Sequence, residues 1–174
     1  LRVLSGVFEP TSGNIKVNGS VMPLMNISEG IAPDATGLEV IRIRGYLLGL
    51  THNQIEKLAS DVLEFCDLGE FVELPVRTYS SGMMVRLAFA IATAMTSDIL
   101  VMDEIIGTGD AAFIERAQQR MQEFVNRASI VVVATHSDQI IRQWCNRAIV
   151  LEHGKIVMDG SVEESLEFYH SLRS

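Results

Sequence analysis

Thr78-Tyr79-Ser80-Ser81-Gly82-Met83-Met84-Val85-Arg86-Leu87-Ala88-Phe89-Ala90-Ile91-Ala92 and, a little further on, Asp98-Ile99-Leu100-Val101-Met102-Asp103-Glu104 decide how this chain is read. The first stretch sets hydroxyl residues and a glycine ahead of a helix whose apolar positions Met84, Leu87, Ala88, Ile91, Ala92 and Met95 keep helical spacing. The second is a buried strand, Ile99–Met102, running into adjacent carboxylates. A helix N-terminus offers N–H groups without intrahelical partners, which suit a phosphate. A parallel strand delivers its next residues to the sheet's carboxyl edge, where ligands bind. Acids at that edge suit a hydrated Mg²⁺ and an attacking water. Together the two stretches point to nucleotide hydrolysis.

Strand and helix alternate downstream. A helix is predicted over Ala111–Asn126 with Ile114, Ala117, Met121, Phe124 and Val125 inward, then a strand over Ile130–Ala134 and a short helix to about Trp144. Ala148–Leu151 and Ile156–Met158 read as a hairpin around His153-Gly154, and Ser161-Val162-Glu163-Glu164 as a capping box for the last helix. Upstream, Leu1, Val3 and Leu4 keep a helical pattern, while Asn14–Val17 and Val21–Met25 read as strands joined by a turn at Asn18-Gly19. Helices fill the interval from Pro33 to Met95. There Thr51-His52-Asn53-Gln54 is a capping box, Ile55, Leu58, Ala59, Val62 and Cys66 form an apolar face, and Gly69 stands where the helix should stop. Wholly apolar strands followed by helices predict a parallel sheet covered on both faces. The expected organisation is a single α/β domain over 1–174, with a helical subdomain at about 33–95 inserted in a core of 1–32 and 96–174.

The chain's 174 residues are 48% hydrophobic, enough for one substantial core. With 14 basic and 22 acidic residues the net charge is −8, which opposes a clamp on duplex nucleic acid, since that needs a basic face. Cys66 and Cys145 sit in apolar helical patterns and read as small buried hydrophobes in a reducing compartment rather than as a bridge. No apolar run approaches the roughly 20 residues that span a bilayer, and no signal peptide is visible.

Each candidate residue has a plainer alternative. Asp103 can hold Mg²⁺ through water, and Glu104 can orient and deprotonate the attacking water. Acids after an apolar strand can also simply mark where it meets solvent. His136 ends the run Ile130-Val131-Val132-Val133-Ala134-Thr135. A parallel sheet brings it to the edge that carries the acids, where it can donate a hydrogen bond to a γ-phosphate, although a lone histidine is usually structural. Asp110, in Gly107-Thr108-Gly109-Asp110, is a natural N-cap for the helix at Ala111 and can also reach across an interface. Ser80, Ser81 and Gly82 are cap residues too; yet one hydroxyl suffices for a cap, and Gly82 permits close backbone approach. His52, His153 and His170 read as first-turn, turn and chain-end residues, and the eight methionines as core filling.

In order along the chain these pieces resemble the nucleotide-binding subunit of ABC transporters. Tyr79-Ser80-Ser81-Gly82-Met83 is similar to the signature motif, commonly Leu-Ser-Gly-Gly-Gln. Ile99–Glu104 resembles Walker B with its catalytic glutamate, Gly107–Asp110 holds the D-loop position, and His136 that of the switch histidine. Leu4–Gly13 resembles the segment that follows Walker A. Tyr-Ser-Ser-Gly-Met together with Pro33-Asp34-Ala35-Thr36-Gly37 is similar to the branch that exports O-antigen, capsule or teichoic-acid polysaccharides.

The resemblance implies a P-loop NTPase-like α/β fold whose N-terminal strands are absent from the sequence, with ATP and Mg²⁺ as cofactors. It casts Glu104 and His136 as catalytic, Asp103 as metal ligand, and Ser80, Ser81, Gly82, Asp110 and Asn26 (in place of the Q-loop glutamine) as nucleotide-binding. It further implies a head-to-tail homodimer that works with an integral membrane permease on the cytoplasmic face of the inner (plasma) membrane, without nucleic acid. The Walker A pattern G-x-x-x-x-G-K-[ST] and the adenine-stacking aromatic do not occur in the sequence, so the expectation is an N-terminal truncation that leaves the fragment inactive alone. One alternative is a soluble ABC-type ATPase on nucleic acid or ribosomes, which the compact interval between Asn26 and Ser80 opposes. Another is a degenerate, non-hydrolysing docking subunit, which Glu104 and His136 oppose.

Overall fold

A computed structural model describes residues 1–25, 27–28, 30–103 and 111–172 of the chain. The elements are β1 (Val21–Leu24), α1 (Gly37–Leu47), α2 (His52–Cys66), α3 (Ser81–Thr93), β2 (Ile99–Met102), α4 (Ala111–Arg127), β3 (Ile130–Val133), α5 (Asp138–Trp144), β4 (Ala148–Glu152), β5 (Lys155–Gly160) and α6 (Val162–Ser171). Two short 3₁₀ turns, Gly69–Glu73 and Val76–Thr78, lie between α2 and α3.

β1, β2 and β3 form a parallel sheet in that order, with β2 central. Leu24, Met102 and Val133 pair in one row, so the three strands end together and their following residues leave at one edge. Parallel neighbours require long crossovers. The first is the whole helical interval α1–α3, and the second is α4. This is the α/β architecture expected from the alternation of apolar strands with amphipathic helices.

Two cores result. Phe89 of α3 meets Leu100 and Met102 of β2 and Phe113, Ala117 and Met121 of α4. Leu87, Ala90 and Ile91 of α3 meet Val40 and Ile41 of α1 and Leu58 and Val62 of α2. α3 thus buries residues on opposing sides, which explains why its sequence is apolar almost all round. Sequence-encoded caps hold: Thr36/Glu39, Thr51/Gln54 and Ser161/Glu164 all form capping boxes.

Several expectations are corrected. The Asn18-Gly19 turn does not close a hairpin. Residues 14–17 form no strand, and β1 pairs in parallel with β2 instead. The reason is burial: β2 is an apolar partner at the centre of a core, whereas residues 14–17 are exposed. Gly19 serves a close approach, with φ +121 and an added Cβ only 2.9 Å from Asp98 Cβ. Beside it the Ser20 N–H and hydroxyl both donate to Asp98 Oδ2 at 2.8 Å. The chain start is a set of hydrogen-bonded turns rather than a helix, with the Ser5 N–H on Leu1 O and the Val7 N–H on Arg2 O. α2 stops at Cys66 because Asp67, not Gly69, takes the first left-handed conformation, at φ 50. The sheet is buried at β2 but only half-covered at β3, where Ile130 is 52% exposed. β4 and β5 form the expected hairpin around left-handed His153 and Gly154, as a separate two-stranded sheet on which α6 packs. Cys66 is buried and free; Cys145 is half-buried and free, just past α5.

Candidate functional site

Asp103 leaves β2 at the common edge, with its side chain exposed. On the neighbouring strand the Ala134 N–H donates to Met102 O at 3.0 Å, carrying the pairing one residue past β3. His136 comes next, exposed, in a tight turn where the Ser137 N–H donates to Thr135 Oγ at 3.0 Å and Ser137 Oγ caps α5. The sheet therefore brings Asp103 and His136 to one edge, as the apolar strand runs implied.

His136 has a partner that the sequence did not disclose. Its Nδ1 lies 3.0 Å from the Tyr169 hydroxyl on α6, and the two rings stack with planes 21° apart. Around this pair His170 Nε2 lies 2.9 Å from Asp138, while Arg142 bonds both Asp138 and Glu163. The hydrogen bond from His170, aided by Arg142, holds the Asp138 carboxyl below its ordinary range. His170, read from sequence as a chain-end residue, is part of the tie between α5 and α6. Nothing in local spacing flags a pairing of residues 33 apart in sequence.

The Ser80–Gly82 turn is built on the helical side of the molecule. Ser80 is extended (φ −66, ψ 161), and its Oγ accepts the Met83 N–H, as an N-cap should. The N–H groups of Ser81 and Gly82, at the first helical positions, have no carbonyl to meet within the helix. Ser80 and Ser81 are exposed, and a Cβ on Gly82 would meet only Ser80 Oγ, at 3.9 Å. An anion can therefore reach these donors.

The turn rests on a firm base. The Val76 N–H donates to Ala35 O and the Arg77 N–H to Pro33 O, both at 2.9 Å, and Arg77 pairs with Asp34 at 2.6 Å. Tyr79 donates its hydroxyl to Phe71 O at 2.8 Å and lies against Gly37, where a Cβ would collide with it. Burial pushes the Tyr79 phenol up. No local pattern in the sequence marks Tyr79 for this role, because its partners Phe71 O and Gly37 meet it only through tertiary packing.

Glu104, Asp110 and Asn26 lie outside the described residues. Among the described residues no group of three or more histidine, cysteine or acidic side chains can hold a metal. Asp103, an exposed carboxylate at a strand end, suits a cation that keeps much of its hydration. An apolar groove runs between the end of β1 and the end of α1, lined by Met22, Met25, Leu47, Leu48, Ile91 and Met95.

No family model matches the chain. It is 37% identical over 174 residues, all of this chain and 40% of the relative, to the O-antigen export system ATP-binding protein RfbB of Myxococcus xanthus. It is 42% identical over 167 residues to the O-antigen export system ATP-binding protein RfbE of Yersinia enterocolitica, covering 96% of this chain and 68% of that protein. It is 34% identical over 170 residues to the teichoic acids export ATP-binding protein TagH of Lactococcus lactis, covering 98% of this chain and 36% of that one. The chain thus spans between about one third and two thirds of these relatives. Among solved structures, the ATP-binding subunit of an ABC transporter superposes with a TM-score of 0.78 at 19% identity, over 97% of this chain and 75% of that one. The post-hydrolysis dimer of the ATP-binding cassette MJ0796, bound to ADP and Pi, superposes with a TM-score of 0.71 at 19% identity, over 92% of this chain and 78% of that one.

The architecture is that of an ATP-binding cassette. With a relative 42% identical across 68% of its length, the chain belongs to the family of ATP-binding proteins of ABC export systems, in the branch that includes the O-antigen and teichoic-acid exporters.

Proposed function

We propose that the protein binds and hydrolyses ATP to power export of a cell-surface polysaccharide. One observation carries this reading. Asp103 and His136 share the carboxyl edge of an in-register sheet, while an open helix N-terminus at Ser80–Gly82 stands exposed elsewhere with its described contacts on the helical side. Two half-sites on one chain make a whole site when two copies pack head to tail.

In that arrangement the N–H groups of Ser81 and Gly82 and the Ser80 hydroxyl of one copy bind phosphate oxygens of the ATP held by the other. Asp103 is the residue that would hold Mg²⁺, which when bound would supply positive charge to offset that of the phosphates. Glu104 orients the attacking water and takes its proton. His136 donates a hydrogen bond to the γ-phosphate. Asp110 and Asn26 take the nucleotide-binding places of the D-loop and the Q-loop. The Walker A pattern that cradles phosphates from behind is not in this sequence, and the whole site requires it.

The helical residues at about 33–95 act as an inserted subdomain, a reading supported by the separate α1–α3 core. The apolar groove beside α1, with Leu47 75% exposed, is the surface that a membrane permease would occupy. Among the described residues no helix is long and apolar enough to cross a membrane. We read the protein as a peripheral subunit on the cytoplasmic face, a reading supported by its likeness to ATP-binding proteins of export systems.

The test is Glu104→Gln in the whole protein. Loss of a general base removes on the order of 10²–10⁴ in rate, so turnover should vanish while ATP binding, read by nucleotide fluorescence, persists. Near-normal hydrolysis would refute the assignment.

A further inference from the structure

We propose that Tyr169 is a positioning residue for His136, fixing both the plane of its ring and the nitrogen that carries its proton. The proposal rests on the reading of His136 as the γ-phosphate donor. Three observations combine. The Tyr169 hydroxyl sits 3.0 Å from Nδ1 rather than Nε2, so the phenol engages one defined side of the imidazole. The rings stack 6.4 Å apart between centroids at 21°, which removes rotational freedom from a side chain otherwise exposed to solvent. Tyr169 itself stands on a tethered helix. α6 is fixed to β4 by Ser165 Oγ on Ala148 O at 3.1 Å, and to α5 by Arg142–Glu163 and His170–Asp138. α5 in turn starts two residues after His136. The imidazole is therefore held from the chain side by its own turn and from the far side by α6.

The chemistry follows from the count of protons. A neutral imidazole carries one N–H, and only the nitrogen bearing it can donate to a phosphate oxygen. When the Tyr169 hydroxyl donates to Nδ1, the ring proton resides on Nε2, and Nε2 is then a donor without the ring being charged. The reverse arrangement, Nδ1–H donating to the phenol oxygen, presents a lone pair at Nε2 that a phosphate oxygen repels. A task that requires donation from Nε2 selects the first arrangement, and Tyr169 supplies it. Hydrogen-bond partners of metal-bound histidines set their tautomers in the same way.

The experiment uses the whole protein with ¹⁵N-labelled histidine, His136→Ala providing the resonance assignment. Imidazole ¹⁵N shifts without nucleotide should place the proton of His136 on Nε2. Tyr169→Phe keeps the stack and loses the hydroxyl, so the two tautomers should become mixed and kcat should fall about five- to tenfold, the worth of one hydrogen bond, with KM for ATP little changed. Tyr169→Ala should cost more. A proton found on Nδ1 in the parent protein overturns the proposal, and that measurement needs no variant to fold. So does a Tyr169→Phe protein with parental tautomer and parental kcat. Full turnover by His136→Ala would instead defeat the γ-phosphate role of His136, a result distinct from failure of the positioning claim.

Discussion

Gly37→Ala tests whether the Ser80 turn is set by the packing beneath it. Gly37 is the first residue of α1 and is buried. A Cβ there would overlap the Tyr79 hydroxyl and come within 3.1 Å of both Val72 Cγ2 and the Val72 carbonyl oxygen. The carbonyl belongs to backbone, and Tyr79 is anchored on Phe71 O at 2.8 Å, so neither yields freely. Gly37 is not among the positive-φ glycines, so alanine adds no backbone strain and gains helix propensity, about 0.5 kcal/mol at a terminal position. Overpacking of this kind costs about 1–3 kcal/mol. Crowding wins, for a net loss of about 1–2 kcal/mol. Tyr79→Phe alone forfeits one hydrogen bond, about 1 kcal/mol. Because the lost hydroxyl is the atom that the added methyl group strikes, the double variant should lose about 1 kcal/mol less than the two single losses added together. Urea unfolding of all four proteins gives the cycle. A Gly37→Ala protein as stable as its parent, or strict additivity, would refute the packing argument and free the Ser80 turn from α1.

Arg120→Ala should cost about 2–3 kcal/mol in the same assay, because Arg120 donates to buried Thr93 Oγ at 2.8 Å, lies 4.4 Å from the Phe65 ring centroid and pairs with Asp61. Arg120→Lys should recover less than half, since the planar fork and the stacking are both lost. Asp98 is held below the ordinary carboxylate range, first by the Ser20 N–H and then by its hydroxyl. A lowered folded value adds stability above about pH 4, the unfolded value, and gives it up as pH falls through the folded one. Asp98→Asn should therefore be less stable than its parent near neutral pH, with the gap closing in acid; a gap independent of pH would remove Asp98 as the titrating group.

Much of the fold was legible because periodicity and caps are local properties. Ile99–Met102 was read to the residue, as were the capping boxes at Thr51 and Ser161, since hydrophobic runs and side chains that reach three residues depend on nothing distant. The Asn18-Gly19 turn misled for the complementary reason. Its local signal is strong, but a parallel partner 78 residues away buries Val21–Leu24 better than a neighbouring exposed segment does. Asp103, His136 and Ser80–Gly82 stand out as motifs, and the in-register strand ends bring the first two to one sheet edge.

By itself the sequence determined the alternation of strands and helices, the residue types at strand ends and helix starts, and hence the family. The tertiary structure alone decided that Tyr79 braces the Ser80–Gly82 turn against Gly37 and that Tyr169 faces His136. Those contacts join residues 42 and 33 apart by number. No local periodicity encodes such pairs, because they depend on how α1 and α6 pack rather than on whether they form.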